Sequence, residues 1–244
     1  MFFIILVSMG LIKASQSYLG DFLSLLFPNI CLSCETALNK NEEVLCFLCE
    51  HSLPKTNFLE NPENPVAKLF WGRVDIQHAS AFVYFHKQSK VQHLLHQLKY
   101  HGKPEVGEKL GCLFGEQLKN HRGFAEVEMI IPIPLHERKK KSRGYNQSDY
   151  FAMGLSQSMD IDWSDSILTR NINTVTQTGK SRFERWENVG AAFEITKANE
   201  IAGKHLLVVD DVVTTGATLE ACAAMLLQIQ DVKVSIATMA WAHH

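Results

Sequence analysis

The run His205-Leu-Leu-Val-Val-Asp-Asp-Val-Val-Thr-Thr-Gly-Ala-Thr-Leu219 frames the whole chain: an apolar strand ends in two adjacent carboxylates, then turns through small residues into a helix. Leu206–Asp210 reads as the strand, Thr218–Ile229 as the helix and Val234–Ala240 as a second apolar strand. Strand, tight loop, helix, strand is a βαβ unit. Strands joined in this way lie parallel, and a parallel sheet is covered by helices. The expected fold class is therefore α/β.

Upstream segments fit that plan. His78–Phe85 is a further strand, and Met129–Pro134 is a short one stopped by two prolines. Val91, Leu94, Leu95 and Leu98 recur at helical spacing, as do Val106, Leu110, Leu113, Phe114 and Leu118, and Gln147–Ser158 reads as another helix. Cys112 and Cys222 stand alone in apolar helical patterns, where a buried core cysteine is the expected role.

The loop after the first strand has readable chemistry. Thr214, Thr215 and Thr218 offer hydroxyls, Gly216 permits close backbone approach, and the helix N-terminus presents unpaired N–H groups with positive partial charge. Such a loop suits phosphate. Asp210 and Asp211 at the carboxyl end of the strand suit sugar hydroxyls or a hard divalent cation beside the phosphate. Phosphate on one side and diol on the other describe a phosphosugar. The plainer alternative is that Asp211 starts a turn and a threonine caps the helix. Gly179-Lys180-Ser181 has the end of a Walker A loop, but Thr174 stands where its first glycine belongs, and no Gly-x-Gly-x-x-Gly occurs.

Cys31, Cys34, Cys46 and Cys49 form two Cys-x-x-Cys pairs separated by eleven residues. Four thiolates on two tight turns suit tetrahedral zinc in a closed site that folds its module rather than catalysing. A pair of disulfides needs an oxidising compartment, and a thioredoxin-like centre explains one pair only. The stretch Asn57–Pro65 reads as a linker. The expected organisation is an apolar segment and short helix over residues 1–27, a zinc module and linker over 28–65, and the α/β domain over 66–244. His86, His93, His96 and His101 lack the accompanying carboxylates of a second metal site and are expected to be surface or core histidines.

Charge narrows the partners. Twenty-four basic against twenty-six acidic residues leave no global polycation, so nucleic-acid contact would come from a local patch, and Arg138–Arg143 with Tyr145 beside it is the one available. The apolar run Phe2–Ile12 is shorter than the about 20 residues of a membrane span and is broken by Ser8 and Gly10. As a signal peptide it lacks preceding basic residues, and Lys13 follows where a small-residue cleavage site belongs. Met9 is an alternative start, leaving Tyr18, Phe22, Leu25 and Leu26 on one helical face.

The string Val208-Val-Asp-Asp-Val-Val-Thr-Thr-Gly-Ala-Thr218 resembles the 5-phosphoribosyl-1-diphosphate (PRPP) motif of type I phosphoribosyltransferases. Leu98-Lys-Tyr-His-Gly102, Pro132-Ile-Pro-Leu-His-Glu-Arg138, Arg143-Gly-Tyr-Asn-Gln147, Thr174-Val-Thr-Gln177 and Arg185-Trp-Glu-Asn188, with the N-terminal Cys pairs, resemble the competence protein F (ComF) family, over about residue 20 to the C-terminus. Two features depart from it: Lys180 where the family often has an apolar residue, and the strongly basic Arg138-Lys-Lys-Lys141. The resemblance implies a phosphoribosyltransferase-like parallel sheet behind a zinc-ribbon-like module. It implies that catalytic Asp210 and Asp211 face the ribose, that Val212, Val213, Thr214, Thr215, Gly216, Ala217 and Thr218 complete the PRPP loop, and that Arg138 and Lys99 meet the diphosphate. It further implies structural Zn2+ on Cys31, Cys34, Cys46 and Cys49, Mg2+ bound with PRPP, and Lys139–Tyr150 as a lid. The implied setting is cytoplasmic, in natural transformation or DNA uptake. The chain would then be either a transferase with an unnamed acceptor or a non-catalytic, PRPP-responsive accessory protein binding single-stranded DNA and competence-machinery proteins.

Overall fold

The computed structural model describes residues 28–170 and 193–242. The chain divides into two compact units, the first ending at Ser52 and the second beginning at Leu53.

The first unit is small and folds around its cysteines. Ile30 and Ala37 form an antiparallel bridge, helix α1 spans Phe47–His51, and Cys31, Val44, Leu45 and Cys49 are buried. Glu42 organises the loop between the Cys pairs: its carboxylate accepts from the Asn39 N–H (2.8 Å) and from the Phe47 N–H (2.7 Å) that opens α1. Those hydrogen bonds hold the Glu42 carboxyl below its ordinary value.

In the second unit β1 (Ala79–Phe85), β2 (Met129–Pro132), β3 (Asp162–Trp163), β6 (His205–Val213) and β7 (Lys233–Ala242) form a sheet ordered β1-β7-β6-β2-β3. Every pairing is parallel. Two short strands, β4 (Leu168–Arg170) and β5 (Phe193–Ile195), pair antiparallel beside it. β6 runs three residues past the expected Leu206–Asp210, because Asp211 to Val213 continue its ladder with β7.

Helices cover both faces. Ala79, Ala81, Ile131, Leu206, Val208, Val234 and Ile236 share one core with α2 (Pro65–Lys68) and α7 (Ala217–Leu226), where Cys222 is fully buried. On the other face Phe82 stacks on Phe114 (5.2 Å) and Phe114 on Phe151 (6.5 Å), tying β1 to α4 (Glu105–Lys119) and α6 (Gln147–Met159). Helix α3 (Lys90–Tyr100) precedes them, capped by the Ser89 hydroxyl on the Gln92 N–H. Helix α5 (Glu137–Arg143) lies between β2 and α6. Cys112 departs from expectation: it is half-buried, its thiol 3.4 Å from Gln157 Oε1.

The segment expected as a linker is part of the second unit. Phe58 is in its core, Asn64 caps α2 while donating to the Ala79 carbonyl (2.8 Å), and Lys55 pairs antiparallel with Val83 along β1. Pro and Asn in this stretch thus serve a capped turn rather than a free tether. The apolar face around Phe22 lies outside the described residues.

Helices α4 and α6 touch backbone to backbone at three glycines. A Cβ on Gly154 would meet the Glu108 carbonyl and stand 2.8 Å from the Cys112 nitrogen; one on Gly111 would meet the Phe151 carbonyl, and one on Gly115 would stand 2.8 Å from Ser158 Cβ. Gly154→Ala is therefore expected to destabilise the second unit by about 3 kcal/mol, the upper range for overpacking, read as a fall in the denaturant midpoint. A variant as stable as wild type would contradict the close crossing.

Candidate functional site

Parallel strands place their loops at one end, so the end of β6 is where chemistry can gather. Asp210 and Asp211 are consecutive residues of β6 and point to opposite faces of the sheet. Asp210 Oδ1 accepts from Ser148 Oγ (3.0 Å) at the start of α6 and from the Asp211 N–H (2.8 Å). Burial, and then the neighbouring Asp211 carboxylate, push the Asp210 carboxyl up to about 7. Asp211 instead forms an ion pair with Lys99 Nζ (2.7 Å) from the last turn of α3.

The turn that follows is open. Thr214, Thr215 and Ala217 are exposed and Thr218 is partly so. Gly216 has φ +75°, and a Cβ there would stand 3.1 Å from the buried Phe70 ring, so both the left-handed backbone and the space require glycine. Gly216 is also the N-cap of α7, a ten-residue helix with no side-chain cap. The threonine-cap alternative does not describe this turn. Its first N–H groups are left to whatever binds there. Val212 is half-buried and Val213 packs into the core, so Val213 can meet a ligand through its backbone alone.

The segment Lys139–Tyr150, expected as a lid, is a helix end and an anchored turn. Lys139–Arg143 finishes α5, and the following turn is anchored: Tyr145 donates its hydroxyl to the Leu98 carbonyl, Asn146 Nδ2 donates to the Ile133 carbonyl (3.0 Å) and to Asp149 Oδ1 (2.6 Å), and Arg143 Nη1 donates to Gln147 Oε1 (2.6 Å). Asn146, Gln147 and Ser148 are buried. This turn is scaffold that delivers Ser148 to Asp210. Burial raises the Asp149 carboxyl to about 6.

Arg138 and Lys139–Lys141 are exposed, and Arg138 has no side-chain partner among the described residues. Lys99 is thus brought to the acidic pair, whereas Arg138 is held by no contact with it. Tyr145 is committed to the turn, but Tyr100 is 64% exposed with the Arg143 guanidinium 5.4 Å from its ring centre. Phe70, Ser148 and Tyr100 were missed as site residues from the sequence; Tyr100 and Ser148 lay inside or beside quoted motifs, while nothing local marks Phe70. Thr174–Gln177 and Arg185–Asn188 fall outside the described residues.

In the first unit the sulfur atoms of Cys31, Cys34, Cys46 and Cys49 all lie within 4.8 Å of one another, Cys34 and Cys46 at 3.7 Å. Tetrahedral zinc with Zn–S near 2.3 Å sets its sulfurs about 3.8 Å apart. The donors fit the metal. The Thr36 hydroxyl (2.9 Å) lowers the Cys34 thiol to about 6, favouring its thiolate, and the Cys46 N–H donates to Cys31 Sγ (3.3 Å). No other metal-binding group occurs among the described residues; His96 and His101 contact each other at 3.2 Å, and His96 also meets the Tyr100 ring. No described helix is long and apolar enough to cross a membrane.

Residues 146–244 match the phosphoribosyl transferase domain family. The chain is similar to "DNA utilization protein YhgH" of Escherichia coli O157:H7 (35% identity, over 55% of this chain and 60% of that protein). It is similar to "Competence protein F" of Haemophilus influenzae (37%, over 44% and 48%) and to "Competence protein ComFC" of Bacillus subtilis (26%, over 88% and 85%). The chain spans about 60% of the length of the first of these relatives. Adenine phosphoribosyltransferase from Saccharomyces cerevisiae overlays on 58% of the chain and 72% of its own, at 15% identity and TM-score 0.39.

Two outcomes follow from this geometry. Purified protein is expected to carry one zinc per chain by elemental analysis, and a Cys31→Ser/Cys46→Ser variant none; equal metal in both would remove the site. A carboxyl whose pKa is raised by folding holds a proton in the native state that the unfolded chain has lost. Asp210 therefore favours the fold below about pH 4 and loses that contribution as pH rises through about 7. Asp210→Asn should be stabilised relative to wild type at pH 8 and not at pH 4, measured by denaturant unfolding; a pH-independent difference would contradict the burial of this carboxyl.

Proposed function

We propose, on the premise that this chain belongs to the ComF family of the phosphoribosyltransferase superfamily, that its second unit binds PRPP at the end of β6 and acts in the use of imported DNA. The observation that carries this reading is the uncapped N-terminus of α7 behind Gly216, directly after two carboxylates. A 5-phosphate there would accept from the Thr214 and Thr215 hydroxyls and from the N–H groups of Gly216, Ala217 and Thr218. Asp210 and Asp211 would accept from the ribose hydroxyls.

Lys99 has a specific part in this arrangement. Its ammonium now neutralises Asp211, so a ribose hydroxyl arriving on that carboxylate competes with it, and an incoming diphosphate offers it a second anion. Arg138, exposed one helix away, supplies a further cation only if the ligand reaches it. Mg2+ bound with PRPP would neutralise the diphosphate leaving group, and the acidic pair is the hard-oxygen donor set that suits it. If the chain is catalytic, a nucleophile forms a bond to C1 as the bond to diphosphate breaks. The positive charge developing on the ribosyl ring is then stabilised by the two carboxylates.

The reading without turnover also has an observation in its favour. The exposed cations of α5 and the exposed Tyr100 ring with Arg143 over it suit the phosphates and bases of single-stranded DNA. It matches the names of the relatives, and cytoplasmic action beside competence-machinery proteins belongs to the same proposal.

The test is calorimetric titration of zinc-loaded protein with PRPP and Mg2+, followed by assay of diphosphate release. Saturable binding weakened at least tenfold in Asp210→Asn/Asp211→Asn is expected. Diphosphate release would mark a transferase; binding without release, together with single-strand binding whose salt slope falls in Lys139→Gln/Lys140→Gln/Lys141→Gln, would mark the accessory protein. Absence of PRPP binding by the folded protein would overturn the proposal.

A further inference from the structure

A cavity of about 560 Å3 lies at the end of the sheet opposite the acidic pair, where β1, β6 and β7 begin. It is distant from the acidic pair: Asp210 lies five residues along β6 from His205, roughly 17 Å at the rise of a parallel strand. Nothing in the proposed PRPP reading uses it.

Its walls are flat and aromatic. The imidazoles of His78 and His121 meet edge to face with centres 6.3 Å apart, and each lies 5.7 Å from the Phe124 ring. Gly123 makes this possible, since a Cβ there would fall 2.7 Å from the His78 imidazole. Burial holds His78 below the ordinary imidazole value, so its ring is a neutral stacking surface at pH 7. The mouth carries Arg122 and Lys233, both exposed and both without an ion-pair partner among the described residues.

A third histidine adjoins the cavity. His205 is buried against the same cavity; its Nε2 contacts Ser235 Oγ at 2.9 Å, but Nδ1 is sealed from solvent with no hydrogen-bond partner. Glu60 and Glu126 also line the cavity. Their charge disfavours a polyphosphate, and their oxygens can accept from an amino group.

We infer that this cavity is a second ligand site for a nucleoside monophosphate, its base against the half-buried His78 and His121 rings, which buried Phe124 backs, and its single phosphate on Arg122 and Lys233. The volume is that of a small-molecule pocket. Two cations suit one phosphate, and the carboxylates favour an amino-bearing base.

The test uses full-length, zinc-loaded Asp210→Asn/Asp211→Asn protein, in which the β6 loop is disabled, titrated calorimetrically with adenosine 5′-monophosphate. Adenosine and inorganic phosphate serve as partial probes. Saturable binding of the monophosphate is expected, weaker for each partial probe, and reduced at least tenfold by Arg122→Gln/Lys233→Gln on the same background. In the otherwise wild-type chain, Arg122→Gln/Lys233→Gln should leave any PRPP binding unchanged, so the two sites stand or fall separately. If the acidic-pair variant does not fold, imidazole NMR of the wild-type chain decides: the monophosphate must shift the His78 and His121 resonances. Binding indifferent to Arg122→Gln/Lys233→Gln, or no binding with unmoved imidazole resonances, would overturn the inference.

Discussion

The backbone contact between α4 and α6 is the constraint from which the site's geometry follows. Gly111, Gly115 and Gly154 remove the side chains that would hold these helices apart, so α6 can lie against α4 with its first turn over the end of β6. That first turn carries Ser148, whose hydroxyl meets Asp210. Phe151, on the same helix, completes the stack that runs through Phe114 to Phe82 of β1. A helix displaced by the width of a methyl group would spoil the stack and the hydrogen bond together.

The two carboxylates of β6 show how a strand's alternation makes unlike groups from identical residues. Asp210 lies on the face of Leu206 and Val208, is desolvated there and holds its proton near neutrality; Asp211 lies on the opposite face and meets the α3 ammonium of Lys99. Adjacent in sequence, they differ because successive side chains leave a strand on opposite faces.

Much of this was legible in the residues. The βαβ order around His205–Leu219 predicted a parallel sheet, and the four cysteines predicted one cluster, because hydrophobic period and ligand spacing are local signals. What escaped was long-range. Gly111 and Gly115 sit four apart on α4, a spacing visible in sequence, but their partner Gly154 is some forty residues away, and only packing reveals the pair. Tyr145 drew attention as a stacking ring beside a basic run, yet its hydroxyl is spent on the Leu98 carbonyl while Tyr100 is left in solvent. Phe70 could not be tied to Gly216 from composition or period at all.

The short stretch from Pro54 to Thr56 has a role that its proline and polar residues conceal. The Pro54 carbonyl accepts from the Tyr84 N–H, the Thr56 N–H donates to the Phe82 carbonyl, and the Thr56 hydroxyl reaches the Ala81 carbonyl. Among the described residues β1 is the last strand on its side of the sheet, with β7 as its ladder partner. An unshielded outer strand recruits other chains into intermolecular sheets. These three residues act as a selvedge that keeps the fabric from joining another, and a chain trimmed at residue 66 would lose it while keeping every residue of the acidic pair and its loop.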